Sequence, residues 1–467
     1  MKKVVLTLLS LALVIAQSCT TKDEENLGAE SKSEFANKND LYIDREPVSI
    51  STVDANKMAT LFKGVTPTTR AAAAYDVTTL SDSLSGKPLV YVVNYGHDNG
   101  FVVISASKNT HPILAFSDKG KFVFNANHPS MGLLEDFKQK VRTAQSCTSD
   151  SLRIRYALQW ASFEKTPETA LTRALPAEIE ERKAKERVYQ ESRGYKCLGD
   201  LTTAQYFLSF DNYEAFMREM EDCSDPQYNY RNVAQVFVKT VTQDSIGELL
   251  KTHWHQYEPF NVGTPNGFAG CVPIAIAQIA YYHKHPQKYD WDNIAVDPVY
   301  NTALSNLMND IWKACDAKFK VGKTSSGIKK AKKTFEKFGY KVSLKDKYII
   351  NDDLSSQIEA GNPVYIQGQN SEDGHAWVCD GYKWIRDLVI VTLIKKPNDP
   401  RFKIVPTSPN GFMIYDATGL KKKDSDAGKY FHMNFGWGGG SDGWYYGFKY
   451  GIPQNLTNNQ QILTIKK

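Results

Sequence analysis

Four segments in the second half of this 467-residue chain hold side chains suited to thiol chemistry. In Gly267-Phe268-Ala269-Gly270-Cys271-Val272-Pro273 a glycine-containing loop runs into a helical pattern, with Val272, Ala275, Ile276, Ile279 and Ala280 on one apolar face. Pro273 suits a first helical turn, where its missing N–H is not needed. Cys271 then stands at a helix N-terminus, where unpaired N–H groups and the helix dipole favour a thiolate. Such a site brings a thiol from about 8.5 into the range of roughly 3.5–7.5. A small buried cysteine capping a core helix is the alternative reading of this segment taken alone.

The second segment is Gly374-His375-Ala376-Trp377-Val378-Cys379-Asp380. A histidine just inside a strand and preceded by glycine can present its imidazole to a cleft, take the thiol proton and later hand it to a leaving amine. The third is Asn434-Phe435-Gly436-Trp437-Gly438-Gly439-Gly440, where Asn434 could accept the second N–H of the imidazole and Trp437 could shield the pair from water. The fourth is Trp254-His255-Gln256-Tyr257. There the Gln256 amide could join the Cys271 backbone N–H in an oxyanion hole, one such donor being worth about 2.7–4 kcal/mol.

These groups need elements to hold them. Asn362-Pro363-Val364-Tyr365-Ile366-Gln367 reads as a strand after a helix stopped by Gly361, and the run from Gly374 to Tyr382 as its hairpin partner. Farther back, Leu89–Val93, Phe101–Ile104 and Ile113–Phe116 read as short strands, followed by a helical period in Leu133, Leu134, Phe137 and Val141. Glu178 to Glu186 alternates in sign as on an exposed helix. Leu388–Ile394 reads as a strand added between His375 and Asn434.

Together Gln256, the Gly270-Cys271-Val272 helix start with Ala277-Gln278-Ile279, Gly374-His375-Ala376 and Asn434-Phe435-Gly436-Trp437-Gly438-Gly439 resemble the motif set of the streptopain family of cysteine peptidases. The match runs over roughly residues 235–467, and the Ser325-Ser326-Gly327 helix start is similar as well. Phe435 departs from the tryptophan usual in the family at that place. The resemblance implies an α+β fold, with a papain-like two-lobed catalytic domain behind a small α+β prodomain, endopeptidase activity, and no metal or other cofactor. By position it makes Cys271 the nucleophile, His375 the base, Gln256 the oxyanion donor, and Asn434 with Trp437 the support of the histidine. The run from Tyr91 to Phe124 is similar to the family's propeptide and inhibitor domain, which would block the cleft until cut away.

The remaining features set the context. Lys2 and Lys3, the apolar stretch Val4–Ala16 and Ala16-Gln17-Ser18-Cys19 resemble a lipoprotein signal whose cysteine, Cys19, is lipidated. An ordinary cleaved signal peptide is the alternative. Either makes the protein exported, as a surface or outer-membrane lipoprotein or secreted, touching membrane only through a lipid anchor. Removing Cys19 and Cys271 leaves Cys147, Cys197, Cys223, Cys315 and Cys379, an odd set without C-x-x-C spacing that leaves room for one or two disulfides. The net charge of +5 is spread out, with no basic block to track a phosphate backbone, which argues against nucleic acid.

The expected organisation is a signal peptide at 1–19, a tether at 20–45, a prodomain at 46–150, a charged helical linker and activation region at 151–230, and a peptidase domain at 231–467. Expected partners are protein or peptide substrates, the prodomain as intramolecular inhibitor, and an activating protease, which could be the enzyme itself. Two rival readings are an inactive relative that binds peptides or inhibits a protease, and a zinc enzyme using His253/His255 and His283/His285.

Overall fold

A computed structural model describes residues 48–63, 75–96, 98–125, 129–147, 151–164, 177–200, 234–346, 350–369, 374–394, 408–416, 428–447 and 461–467. Cys19, Cys223, the signal and the tether lie outside the described residues.

The N-terminal unit begins with helix α1 (Thr52–Phe62). Ser51 caps it, its hydroxyl accepting from the Asp54 N–H while the Asp54 carboxylate takes the Ser51 N–H. Strands β1 (Asp76–Ser81), β2 (Pro88–Asn94), β3 (Phe101–Ser105) and β4 (Ile113–Ser117) follow as an antiparallel meander, and α2 (Pro129–Gln145) closes one face. β3 and β4 are buried without alternation because both faces of the sheet are covered. Leu133, Leu134 and Phe137 of α2 pack with Val92 and Val103, while Met58 of α1 and Trp160 of α3 (Ser151–Ala161) pack with Tyr91 and Val102 on the other side.

Helix α4 (Ala177–Ser192) departs from the exposed helix expected of its charge pattern. Glu186 and Gln190 are fully buried, the Glu186 carboxylate accepting from Gln190 (2.8 Å), the Ser408 hydroxyl (2.6 Å) and the Asn410 amide (3.0 Å). Arg182 donates to the carbonyls of Asn410 and Gly411, which seats the helix on the segment between His375 and Asn434. Opposite charges along a helix read as solvated unless something polar covers them, and that cover comes from more than 200 positions away.

After β5 (Lys196–Asp200) and β6 (Gln235–Ile246) comes a helical lobe: α5 (Cys271–His283), α6 (Thr302–Ala314), the small hairpin β7 (Lys318–Lys320)–β8 (Lys323–Ser325), and α7 (Ile328–Lys337). Leu304, Leu307, Met308 and Ile311 give α6 its apolar stripe, and Asn301 caps it by accepting from the Leu304 N–H. Nine consecutive residues of α5, Val272 to Ala280, are buried, so the helix is enclosed on all sides rather than on the single face its periodicity suggests.

The sheet lobe contains β9 (Lys341–Lys345), the short helix α8 (Ser355–Glu359), β10 (Val364–Gln369), β11 (Gly374–Ile394), β12 (Phe412–Asp416), β13 (Gly428–Asn434), β14 (Gly443–Gly447) and β15 (Gln461–Lys466). Leu388–Ile394, expected as a separate strand, is the far half of the 21-residue β11. The near half pairs with β10 and β13; the far half pairs with β6 and β12. The prodomain sheet joins this one edge to edge, β4 beside β14, with Phe116 opposite Trp444 and Ala115 opposite Tyr445. The chain is thus α+β, with a helical lobe and a sheet lobe behind a small α+β unit.

Candidate active site

The seam between the lobes brings the four segments together. Cys271 opens α5 from Gly270, whose φ of +93° disfavours a side chain. A Cβ there would also lie 2.9 Å from the Thr324 methyl, so the sharp entry into the nucleophile helix needs glycine twice over. The N–H groups of Ala376, beside His375 on β11, and of Val272 and Cys271 itself favour the ionised form of the Cys271 thiol. The helix that Cys271 opens shares a core cluster with Ala376 and Val378 of the strand that carries the histidine.

His375 is 8 % exposed and donates from Nε2 to the Phe435 carbonyl at 3.1 Å. With Nε2–H so committed, Nδ1 carries the lone pair and is the ring atom able to take a proton. Trp377 stacks beside the ring (centroids 6.3 Å, 17°), and the part-exposed Trp437 stands at 6.4 Å and 44° on the cleft side. Burial pulls His375 down to about 4, opposed by the Phe435 carbonyl. Burial also pushes the Cys271 thiol up, against the three N–H groups. The sequence expectation was a thiol lowered by the helix start; burial works against that effect, raising the thiol and lowering the imidazole, which favours a neutral pair.

The acceptor assigned to Asn434 is corrected by the geometry. The Asn434 side chain points away from the imidazole: Nδ2 donates to the Thr252 carbonyl (2.8 Å), and Oδ1 accepts from Gln278 Nε2 (3.0 Å) and the Gly436 N–H (3.2 Å). The histidine's acceptor is the next residue's carbonyl, on Phe435. That residue is held in turn by Asp442, whose carboxylate accepts the Phe435 N–H at 2.8 Å. The Phe435 ring is buried between Trp377 (6.2 Å) and Tyr445 (5.6 Å), which fills the place of the larger ring usual there.

Gln256 lies next to the nucleophile loop, its carbonyl accepting the Ala269 N–H at 2.8 Å. Its part-exposed side-chain amide has no hydrogen bond among the described residues. Sequence reasoning missed Asp442, and it named Gln278 only within the motif at the helix start, without a role. Asp442 gave no signal within a glycine-rich turn, whereas Gln278 is the one polar residue in the buried run Val272–Ala280.

Next to the site, His432 sits between Asp380 (2.6 Å) and Glu248 (3.6 Å). Burial pulls it down, but Asp380, Glu248 and Asp442 raise it above its ordinary value. Glu248 also meets Lys119 of the N-terminal unit at 2.6 Å. The same unit lies along the glycine-rich turn after Trp437: the Ser441 N–H donates to the Lys121 carbonyl and the Ser441 hydroxyl accepts from Val123.

His253 faces Asp442 at 3.4 Å, and His283 and His285 pack on Tyr340. Among the described residues no group of three or more His, Cys, Asp or Glu could hold a metal ion. Among the described residues Cys271, Cys315 and Cys379 are free thiols.

The comparisons match this arrangement. Residues 254–294 and 287–445 match the model of the Peptidase C10 family, and residues 47–141 that of the Spi protease inhibitor. Residues 254–445 thus resemble the Peptidase C10 family and residues 47–141 a protease-inhibitor module ahead of it, the order of a thiol protease made as a zymogen. The chain is 23% identical over 320 residues to streptopain of Streptococcus pyogenes, covering 55% of this chain and 68% of that one. It is 25% identical over 242 residues to the thiol protease/hemagglutinin PrtT of Porphyromonas gingivalis, covering 41% of this chain but 22% of that protein. A solved fragment of prointerpain A from Prevotella intermedia aligns over 84% of this chain and 98% of its own length, at 17% identity and a TM-score of 0.42.

Proposed function

We propose that this chain is an active cysteine endopeptidase, exported and kept latent by its own N-terminal unit until that unit is cut away. The observation that carries the reading is the commitment of the buried His375 Nε2–H to the Phe435 carbonyl, which leaves Nδ1 as the free ring nitrogen. It stands on a strand whose Ala376 and Val378 share a core cluster with the helix that Cys271 opens. In the proposed reaction His375 takes the thiol proton, and the sulfur attacks the peptide carbonyl. The oxyanion accepts from the Cys271 N–H and the Gln256 amide. His375 then protonates the leaving amine, and water releases the acyl-enzyme. Trp437 limits the access of water to the imidazole.

Lipidation of Cys19, surface or secreted location, and activation by a separate protease or by the enzyme itself belong to the same proposal. The test follows the chain from residue 20 onward through mild trypsin treatment, by gel and mass spectrometry. Casein cleavage is assayed alongside, with and without iodoacetamide and with Cys271→Ala as control. Thiol-sensitive activity rising with a fragment of about 25–30 kDa, at roughly 110 Da per residue, is the expected outcome. A processed wild type that neither cleaves casein nor labels at Cys271 would refute it and leave an inactive, peptide-binding or inhibitory relative.

A further inference from the structure

We propose that Gln278 is a positioning residue that ties the nucleophile helix to the support of the catalytic histidine, an inference resting on the thiol-protease reading above. Gln278 is fully buried, seven residues after Cys271 on α5. Seven residues are about two turns, or roughly 10 Å of rise, so it lies on the same side of the helix as the nucleophile.

Both the nitrogen and the oxygen of its amide are engaged with other pieces of the site. Nε2 donates to Asn434 Oδ1 at 3.0 Å; Oε1 accepts the Thr252 hydroxyl at 2.8 Å and the Trp254 N–H at 3.4 Å. Thr252 and Trp254 belong to the strap that ends in Gln256. Asn434 accepts the Gly436 N–H at 3.2 Å, and that N–H shares a peptide unit with the Phe435 carbonyl, the acceptor of His375 Nε2. A continuous path therefore runs from Gln278 through Asn434 and the 435–436 peptide to the imidazole. One side chain fixes the nucleophile helix, the oxyanion strap and the histidine's acceptor relative to each other. A buried amide without partners is costly, and the retention of one polar group in an otherwise apolar run is explained by this link. Asn434 belongs to the same path and acts on His375 through the peptide rather than by touching the ring.

The test is Gln278→Met, which keeps the length and apolar packing but breaks the three bonds. In the trypsin-processed enzyme kcat falls by about 10- to 100-fold, the order expected for sub-ångström misplacement of reacting groups, while KM stays within about twofold. The pH midpoint for alkylation of Cys271 by iodoacetamide moves. Asn434→Ala gives a loss of similar size, and the double variant is little worse than either alone. Tyr340→Phe is the stability control. It removes one hydrogen bond (to the His285 carbonyl, 3.2 Å) near the far end of α5 and lowers the unfolding midpoint without moving kcat or the alkylation profile. Should the Met variant not accumulate, Gln278→Leu removes the same three bonds with a smaller apolar side chain and shows the same loss in kcat. The proposal is overturned by a Gln278 variant with kcat and alkylation profile like wild type, by a loss confined to KM, or by additive losses with Asn434→Ala. Failure of the wild type to cleave casein would overturn the protease reading instead, because the alkylation profile reports the tie without turnover.

Discussion

The proposed latency can be tested at the edge where β4 of the N-terminal unit joins β14, and one glycine isolates that contact. At Gly443 an added Cβ would meet the Phe116 carbonyl at 2.7 Å, Ser117 Cβ at 3.1 Å and Phe101 Cζ at 3.2 Å, all on the N-terminal unit. An ordinary contact begins at 3.4 Å, so β4 must retreat by about 0.7 Å. The obstructing atom is a backbone oxygen inside a paired strand and cannot rotate away. Overpacking of this kind costs about 1–3 kcal/mol, which converts to a roughly 5- to 150-fold shift toward the undocked state. Gly443→Ala is therefore expected to raise the activity of the uncut chain toward a small peptide substrate by that factor, in initial rates taken before any band moves on a gel. After processing, kcat/KM should lie within twofold of wild type, because the methyl then faces space the N-terminal unit has left. An unchanged leak would refute the idea that this pairing sets latency. An equal loss in the processed enzyme would show that Gly443 acts within the peptidase itself.

Three further outcomes follow from the same geometry. Since burial raises the Cys271 thiol and lowers His375, iodoacetamide should alkylate Cys271 in the uncut chain at pH 7 more slowly than a free thiol of ordinary pKa, followed by mass spectrometry; equal rates would contradict the neutral-pair assignment. The folded pKa of His375 is lowered from 6.5 to about 4, so the unfolded chain binds the extra proton and stability falls as pH drops through that window, by at most about 3 kcal/mol at ~1.4 kcal/mol per unit. His432 is raised, so its contribution is full below about 6.5 and fades as pH climbs through its folded value. Melting midpoints at several pH values should fall on both sides, with His432→Gln flattening only the alkaline side. Finally, Glu186→Ala leaves Ser408, Asn410 and Gln190 without their shared buried acceptor and should cost about 1–3 kcal/mol, read as a lower denaturant midpoint with an unchanged slope.

The sequence made the positions of the candidate site's side chains more legible than their supports. Cys271 was readable because a helix start leaves a local signature of glycine, proline and apolar period, and His375 because a glycine before a strand places a polar side chain at its edge. Asn434 was placed in the right neighbourhood but given the wrong contact. A side-chain amide and the following residue's carbonyl lie within the same few ångströms, and only the backbone path decides which of them faces the ring. The state of the thiol was misjudged for a related reason: helix ends are local, whereas desolvation is set by everything packed around the sulfur. The burial of Glu186 was invisible because its partners, Ser408 and Asn410, are far along the chain and of residue types that elsewhere mark loops.

The continuity of the sheet also constrains how release must work. The apolar layer under the prodomain sheet (Leu89, Val92, Phe101, Phe137) is one cluster with Trp377, Phe435 and Tyr445, residues that flank His375 or fix its acceptor. Removing the N-terminal unit therefore uncovers apolar surface adjoining the histidine's support and takes Lys119 from Glu248, the carboxylate beside His432. Those residues must keep their places when their cover leaves, or cutting would disorder the site it is meant to free. Bonds confined to the peptidase supply that independence: Asp442 to the Phe435 N–H, Asp380 to the Leu250 N–H and to His432, and Asn434 to Thr252 and Gln278. None of them includes a prodomain atom, so the frame around the thiol and the imidazole can persist while the strand beside β14 departs.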